Sequence, residues 1–376
     1  MNSIYLDNSA TTKPFDEVVD VMVDSMKKQY ENPSALHSAG IKVERLINSA
    51  KEAVAKTLGC KANEIIFTSG GTEADNLAIL GVADANTRKG KHLITSTIEH
   101  HAVLDCFKHL ENKGFDVTYI NVDKNGIIDL EELKCSVRDD TILISIMLAN
   151  NETGAFQPID KIRAIAQNAY IHTDAVQAYG KYDFSLLDVD LVSVSSHKIH
   201  GPKGIGALVV KNGVKINPIS FGGGQEQGLR SGTFNTEGIL GFAKAADISY
   251  LQLEDSVAYL KNLCSYFKEE ICKRLENVHF NGSDSINVVS ASFEGIRGEV
   301  LLHTLEEKGI FVSTGSACNS KSTKISYVLK AMGLDSKRAE STIRISFSCF
   351  NTKEEIEVAV EEIATAVMFL RKFTRR

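Results

Sequence analysis

Lys198 stands three positions after a run of small and apolar residues, Leu191-Val192-Ser193-Val194-Ser195, and is followed by Ile199-His200-Gly201-Pro202-Lys203-Gly204. Lysine is rarely buried unless paired. Condensation with an aldehyde cofactor neutralises the amine and accounts for its position; an exposed lysine on a surface turn accounts for it too. Asp174 closes a second apolar run, Ile171-His172-Thr173. A buried carboxylate is costly unless paired, and a protonated ring nitrogen is a suitable partner; a capping hydrogen bond is the ordinary alternative. Thr68-Ser69-Gly70-Gly71-Thr72-Glu73 has the glycines that let backbone N–H groups approach an anion at a helix start. Thr72 can equally be a plain helix cap. No Gly-Lys-Ser/Thr follows, so this turn is not a P-loop. Ser195 and His197 can donate to the same anion. Cys318 lies in Ser313-Thr314-Gly315-Ser316-Ala317-Cys318-Asn319-Ser320-Lys321-Ser322, a small polar stretch that suits a reachable thiol. His100 follows another strand-like run, where an imidazole can stack on a flat ring or simply cap a helix.

These groups need elements that bring them to one edge. From about residue 50 to 211 the pattern alternates helix and strand. Predicted helices cover Ile41–Leu58, Glu73–Asn86, His101–Lys113 and Ile159–Ala169. Predicted strands cover Glu64–Thr68, His92–Thr97, Asp116–Val122, Thr141–Leu148, Ile171–Thr173, Leu191–Ser195 and Ile205–Val210. Thr141–Leu148 is nearly all apolar and β-branched, as a strand buried on both faces requires. This alternation predicts a mostly parallel sheet flanked by helices, with ligands at the carboxyl ends of its strands. After Asn235 the character changes to a long helical region, Ile239–Leu275, and a smaller α+β part. Its predicted pieces are Asn287–Phe293 and Ile343–Phe347 as strands, and Glu299–Lys308 and Lys353–Phe373 as helices. The expected organisation is a large domain over 15–250 and a small domain built from 1–14 and 251–376.

The bulk properties are ordinary for a soluble globular protein. The chain has 376 residues, 43% hydrophobic and 24% charged, with a net charge of −6. That balance gives no general reason to expect a nucleic acid or an anionic membrane as partner. No run approaches the roughly 18 apolar residues of a membrane span, and the N-terminus lacks a signal-peptide pattern. The seven cysteines show no CxxC spacing, which argues against a disulfide framework and against a zinc site. Free thiols suggest a reducing cytoplasm.

Taken together and in order, the motifs resemble the cysteine desulfurases of the NifS/IscS-like type, in the aminotransferase class V group of pyridoxal 5′-phosphate (PLP) enzymes. The resemblance runs from Tyr5-Leu6-Asp7-Asn8-Ser9-Ala10-Thr11-Thr12 to the C-terminal helix. Its most specific pieces are Ser196 to Gly204, Arg230-Ser231-Gly232-Thr233 and Ser313 to Cys318. It implies the PLP-dependent transferase (aspartate-aminotransferase-like) fold and a homodimer. It also implies a role for each matching residue. Lys198 holds PLP covalently, His100 stacks on the ring, Asp174 pairs with the ring nitrogen and Gln177 with the ring hydroxyl. Asn151 lies near ring and substrate. Gly71, Thr72, Ser195 and His197 contact the phosphate, and Thr233 reaches it from the neighbouring subunit. Arg344, assisted by Asn32, holds the substrate carboxylate. Cys318 takes the sulfur of L-cysteine as a persulfide, for an iron–sulfur scaffold or a tRNA-thiolation enzyme. A class V aminotransferase or a selenocysteine lyase would share Lys198 and Asp174 without needing Cys318. A non-catalytic scaffold of the same fold would need none of these residues intact.

Overall fold

The computed structural model describes residues 3–184, 188–315 and 325–374. Its centre is a seven-stranded sheet. Across the sheet the strands run Ile65–Thr68, Gly206–Val210, Leu191–Ser195, Tyr170–Asp174, Thr141–Ser145, His92–Ser96 and Asp116–Ile120. From Leu191–Ser195 to Asp116–Ile120 all neighbours are parallel. Gly206–Val210 is antiparallel to both of its neighbours. The reason is chain length: the segment between Ser195 and Gly206 is too short for the crossover that a parallel return needs. Every residue of Thr141–Ser145 is buried, because helices cover both faces of the sheet.

Helices Ser38–Thr57 and Thr236–Leu251 bury Val43, Ile47, Ile239 and Phe242 against one face. Helices Gly71–Ala85 and His101–Asn112 bury Leu77, Ile79, Val103 and Phe107 against the other. A separate core gathers Leu6, Leu263, Phe267, Phe293, Ile345 and Val367. It lies around a three-stranded antiparallel sheet, Thr342–Ser346, Val288–Phe293 and Val278–Asn281. The long helical region expected from Ile239 to Leu275 is two helices that meet at Gln252, Thr236–Leu251 and Leu253–Arg274. The break falls where the chain leaves one core for the other: Phe242 belongs to the first and Phe267 to the second. The helix expected over Ile159–Ala169 stops at Ile165, since Ala166 leaves helical geometry ahead of the strand Tyr170–Asp174.

Gly206 shows how closely the sheet edge and the Ser-Gly-Gly-Thr turn are fitted. A Cβ there would lie 2.5 Å from the Val194 carbonyl oxygen and 2.8 Å from Gly70 Cα, backbone on both sides. Backbone cannot rotate away as a side chain can. Gly206→Ala should therefore destabilise the fold by about 3 kcal/mol, seen as a lower urea midpoint, and loosen the turn at Gly70.

Candidate active site

The first part of the site is an anion cup. The strand Ile65–Thr68 ends, the chain turns at Ser69 and Gly70, and the helix Gly71–Ala85 begins. Gly70 has φ +154°, a conformation that side chains disfavour. Glu73 ties the turn together: Oε2 accepts the Ser69 N–H at 2.6 Å and Oε1 accepts the Arg230 Nε–H at 2.9 Å. Burial alone would raise the Glu73 carboxyl, but these bonds outweigh it and hold it below the ordinary value. The cup encloses about 390 Å³ between this turn and Thr11, Ser195, His197 and Lys203. The helix start offers it unpaired N–H groups and the positive end of its dipole. A methyl group on Gly71 would meet Val176 Cγ2 at 2.6 Å, so glycine here and valine there fit each other.

Beside the cup lies a cavity of about 360 Å³ at the carboxyl ends of the parallel strands. Asp174, His100, Lys198, Gln177, Asn151 and Arg344 all border it, together with Gly71, Thr72, Ser195 and His197. Asp174 is 6% exposed, and its Oδ1 accepts the Val176 N–H at 2.9 Å. Burial raises its carboxyl, and His100, that N–H and Lys198 offset part of the rise. His100 caps the helix His101–Asn112, Nδ1 accepting the Ala102 N–H at 3.1 Å. The proton of the neutral ring is then on Nε2, and burial favours that neutral form. The Lys198 amine donates to the carbonyls of Ser9 and Ala10. Its turn is held by His200, a non-glycine residue at φ +65° whose N–H donates to Thr12 Oγ1 at 2.8 Å. Strained backbone of this kind persists where surrounding contacts over-determine it.

Arg344, 4% exposed, projects from the strand Thr342–Ser346 into the same cavity. Its Nη2 donates to Asp7 Oδ1 at 2.6 Å and its Nη1 to the Asn151 carbonyl at 3.0 Å, while buried Nε has no hydrogen-bond partner. Asn151 Oδ1 is also buried without one. The chain entering the Cys318 stretch is bound to this strand, Ser313 and Arg344 exchanging backbone hydrogen bonds. Cys318 itself lies outside the described residues. Asn32 and Thr233 are exposed and do not border the cavity; Asn32 Oδ1 accepts the N–H of Ser34 in its own turn. Gln177 reaches the cavity with its amide donating to the Ser9 carbonyl at 2.9 Å. Sequence reasoning assigned nothing to Asp7, Ser9, Ala10 or Asp75, all of which pack at the site. The quoted Tyr5–Thr12 motif held the signal for the first three; nothing local distinguished Asp75.

The aminotransferase class-V family model matches residues 4–358. This chain belongs to the aminotransferase class-V family. Among curated members, a cysteine desulfurase IscS of Methanosarcina thermophila is 46% identical over 379 residues, covering 99% of this chain and 94% of its own. A second, of Dictyoglomus turgidum, is 44% identical over 375 residues, covering 98% and 95%. A solved NifS-like protein superposes with a TM-score of 0.92 at 39% identity, covering 98% of this chain and 100% of its own. SspA, solved in complex with cysteine, gives 0.81 at 35% identity, covering 93% and 100%. Among the described residues no helix is long and apolar enough to cross a membrane.

The family's cofactor is PLP, and the residues present fit it. A phosphate needs the anion cup, a ring nitrogen needs a buried acid such as Asp174, and an aldehyde needs an amine such as Lys198. The two orphaned buried atoms, Arg344 Nε and Asn151 Oδ1, add a donor and an acceptor for a substrate beside it.

Proposed function

We propose that this chain is a PLP-dependent cysteine desulfurase that moves the sulfur of L-cysteine onto Cys318. The observation that carries this reading is the convergence of Lys198, Asp174, His100 and Arg344 on one cavity beside a helix-start anion cup. The relatives named cysteine desulfurase IscS over nearly the full chain support it.

In this reading Lys198 holds PLP covalently, Asp174 pairs with its ring nitrogen, and His100 stacks on its ring. Gln177 and Asn151 contact the ring, and Gly71, Thr72, Ser195 and His197 take the phosphate. Bound PLP supplies an electron sink for the bonds at the substrate α carbon. The chain's own residues do the rest. Arg344 clamps the substrate carboxylate through its planar fork. Lys198 moves the proton at the α carbon, and His100 handles the proton at the leaving sulfur. The Cys318 thiolate attacks the substrate sulfur as the carbon–sulfur bond breaks. L-cysteine plus thiol thereby becomes L-alanine plus persulfide, with atoms and charge balanced. The persulfide serves a partner protein of iron–sulfur cluster assembly or of tRNA thiolation. The enzyme works as a cytoplasmic homodimer. Its free thiols and the surface position of Thr233, away from the cavity of its own chain, support that arrangement.

The test is alanine and sulfide release from L-cysteine by wild type and Cys318→Ala, with and without reductant. Wild type is expected to release alanine stoichiometrically with reductant-dependent sulfide. In Cys318→Ala both should fall on the order of 10³-fold or more. Undiminished alanine release by the variant would remove the desulfurase reading and place the chain with the selenocysteine lyases or aminotransferases of its family.

A further inference from the structure

Asp75 is 1% exposed on the helix Gly71–Ala85 and borders the same cavity as Asp174. Its Oδ1 is buried without a hydrogen-bond partner. The nearest basic group is His172, whose Nε2 lies 3.6 Å from that oxygen, too long for a bond. Both His172 ring nitrogens are already engaged, with Ser145 Oγ at 2.8 Å and Ser193 Oγ at 2.9 Å. That imidazole is neutral, pushed down to about 3 by burial. Among the described residues no lysine or arginine forms an ion pair with Asp75. Asp75 also lies past the first helical turn, where the dipole's help has faded. An ionised carboxylate with no cation at this depth would carry a large uncompensated cost.

We propose that Asp75 is a positioning residue for Asp174: it stays a neutral acid beside it, leaving Asp174 the single anion at this end of the cavity. One negative charge then faces the one positive charge of a protonated ring nitrogen. This rests on the PLP reading of the cavity for its purpose, but not for the state of Asp75 itself. Burial is the main force that keeps the proton on Asp75, the Asp174 charge adds to it, and a hydrogen bond from the Ser193 hydroxyl opposes them; Glu99 is itself pushed up to about 8 by burial and is mostly neutral at pH 7.

The groups facing Asp75 are Asp174 and His172 from the strand Tyr170–Asp174, Glu99 after the strand His92–Ser96, and Cys106 from the helix His101–Asn112. All are present in an Asp75 variant, so the difference between variant and wild type isolates Asp75. The sign follows from its raised value. Unfolded Asp75 loses its proton near pH 3.9, while folded Asp75 keeps it. Wild type therefore loses stability as pH rises above that point, and Asp75→Asn does not share this loss.

The experiment measures the thermal midpoint of the purified full chain, wild type and Asp75→Asn, across pH. The midpoint of Asp75→Asn is expected to gain on wild type by roughly 3 °C or more between about pH 5.5 and about pH 7.5. In the PLP-loaded protein the cofactor absorbance at neutral pH should be unchanged in Asp75→Asn, because an amide reproduces a neutral acid. Asp75→Ser, also neutral and a donor, repeats both readings if the amide variant folds poorly. A gap that stays constant with pH, or an absorbance shifted as by loss of a negative charge, would overturn the proposal. A wild type that binds no PLP would instead refute the cofactor reading, and the thermal series would still judge Asp75.

Discussion

Lys198→Ala should lower turnover of L-cysteine by at least roughly 10³-fold, since in the proposed mechanism it removes both the covalent anchor and the proton-moving amine. The amine is not interchangeable with a neighbour. It is held by the carbonyls of Ser9 and Ala10, which orient a donor without neutralising it as a carboxylate would. Lys181 donates to the Gln177 carbonyl at 2.8 Å and is not part of the cavity wall, and Lys203 lines the anion cup instead of this cavity. Burial and the Lys198 charge push Lys181 down to about 7, but its place outside the cavity wall keeps it from taking over the role of Lys198. The check is direct. Borohydride reduces a carbonyl–amine adduct, so treated wild type should carry the cofactor mass on the Lys198 peptide and the variant should not. Cofactor fixed to another lysine in the variant, with activity retained, would move the anchor elsewhere.

Arg344→Gln should reduce kcat/KM for L-cysteine by about 10²- to 10³-fold, corresponding to two charge-assisted hydrogen bonds of about 1.5 to 3 kcal/mol each, partly recovered by the amide. Most of the loss should fall on KM, because a carboxylate clamp grips ground state and transition state alike. The same change strands Asp7, whose partner Nη2 stands 2.6 Å away. Asp7 keeps 20% side-chain exposure against 5% for Arg344. Solvent therefore softens the cost, and about 2 kcal/mol of stability should be lost. Steady-state kinetics and a urea melt on one preparation separate the effects. A fall in kcat at unchanged KM would mean that Arg344 acts on the reacting bonds instead of holding the substrate.

Much of the large sheet was legible because its strands are short apolar runs bounded by turns, and period and composition report that directly. The strand Leu191–Ser195 and the helix starting after His100 lie within a residue of expectation. The antiparallel strand Gly206–Val210 was legible as a strand but not in direction, since direction depends on which neighbour it joins. The break at Gln252 escaped because both flanking helices carry continuous helical periodicity, and only their burial in different cores separates them.

By itself the sequence determined which chemistries stand at strand ends: an amine at Lys198, an acid at Asp174 and an anion turn at Gly70 and Gly71. Each is a local pattern of strand, turn and helix start, encoded by residues adjacent in the chain. Tertiary structure alone decided what each of the described groups faces. Arg344 meets Asp7 across 337 positions, and Lys198 meets the Ser9 carbonyl across 189. A backbone carbonyl carries no side-chain signature, so such a partner is invisible until the chain has folded. Asp75 is the clearest case. On the helix it reads as one more polar residue, and only the order of strands beneath that helix places it out of water at the same cavity as Asp174, with one carboxyl oxygen unpartnered.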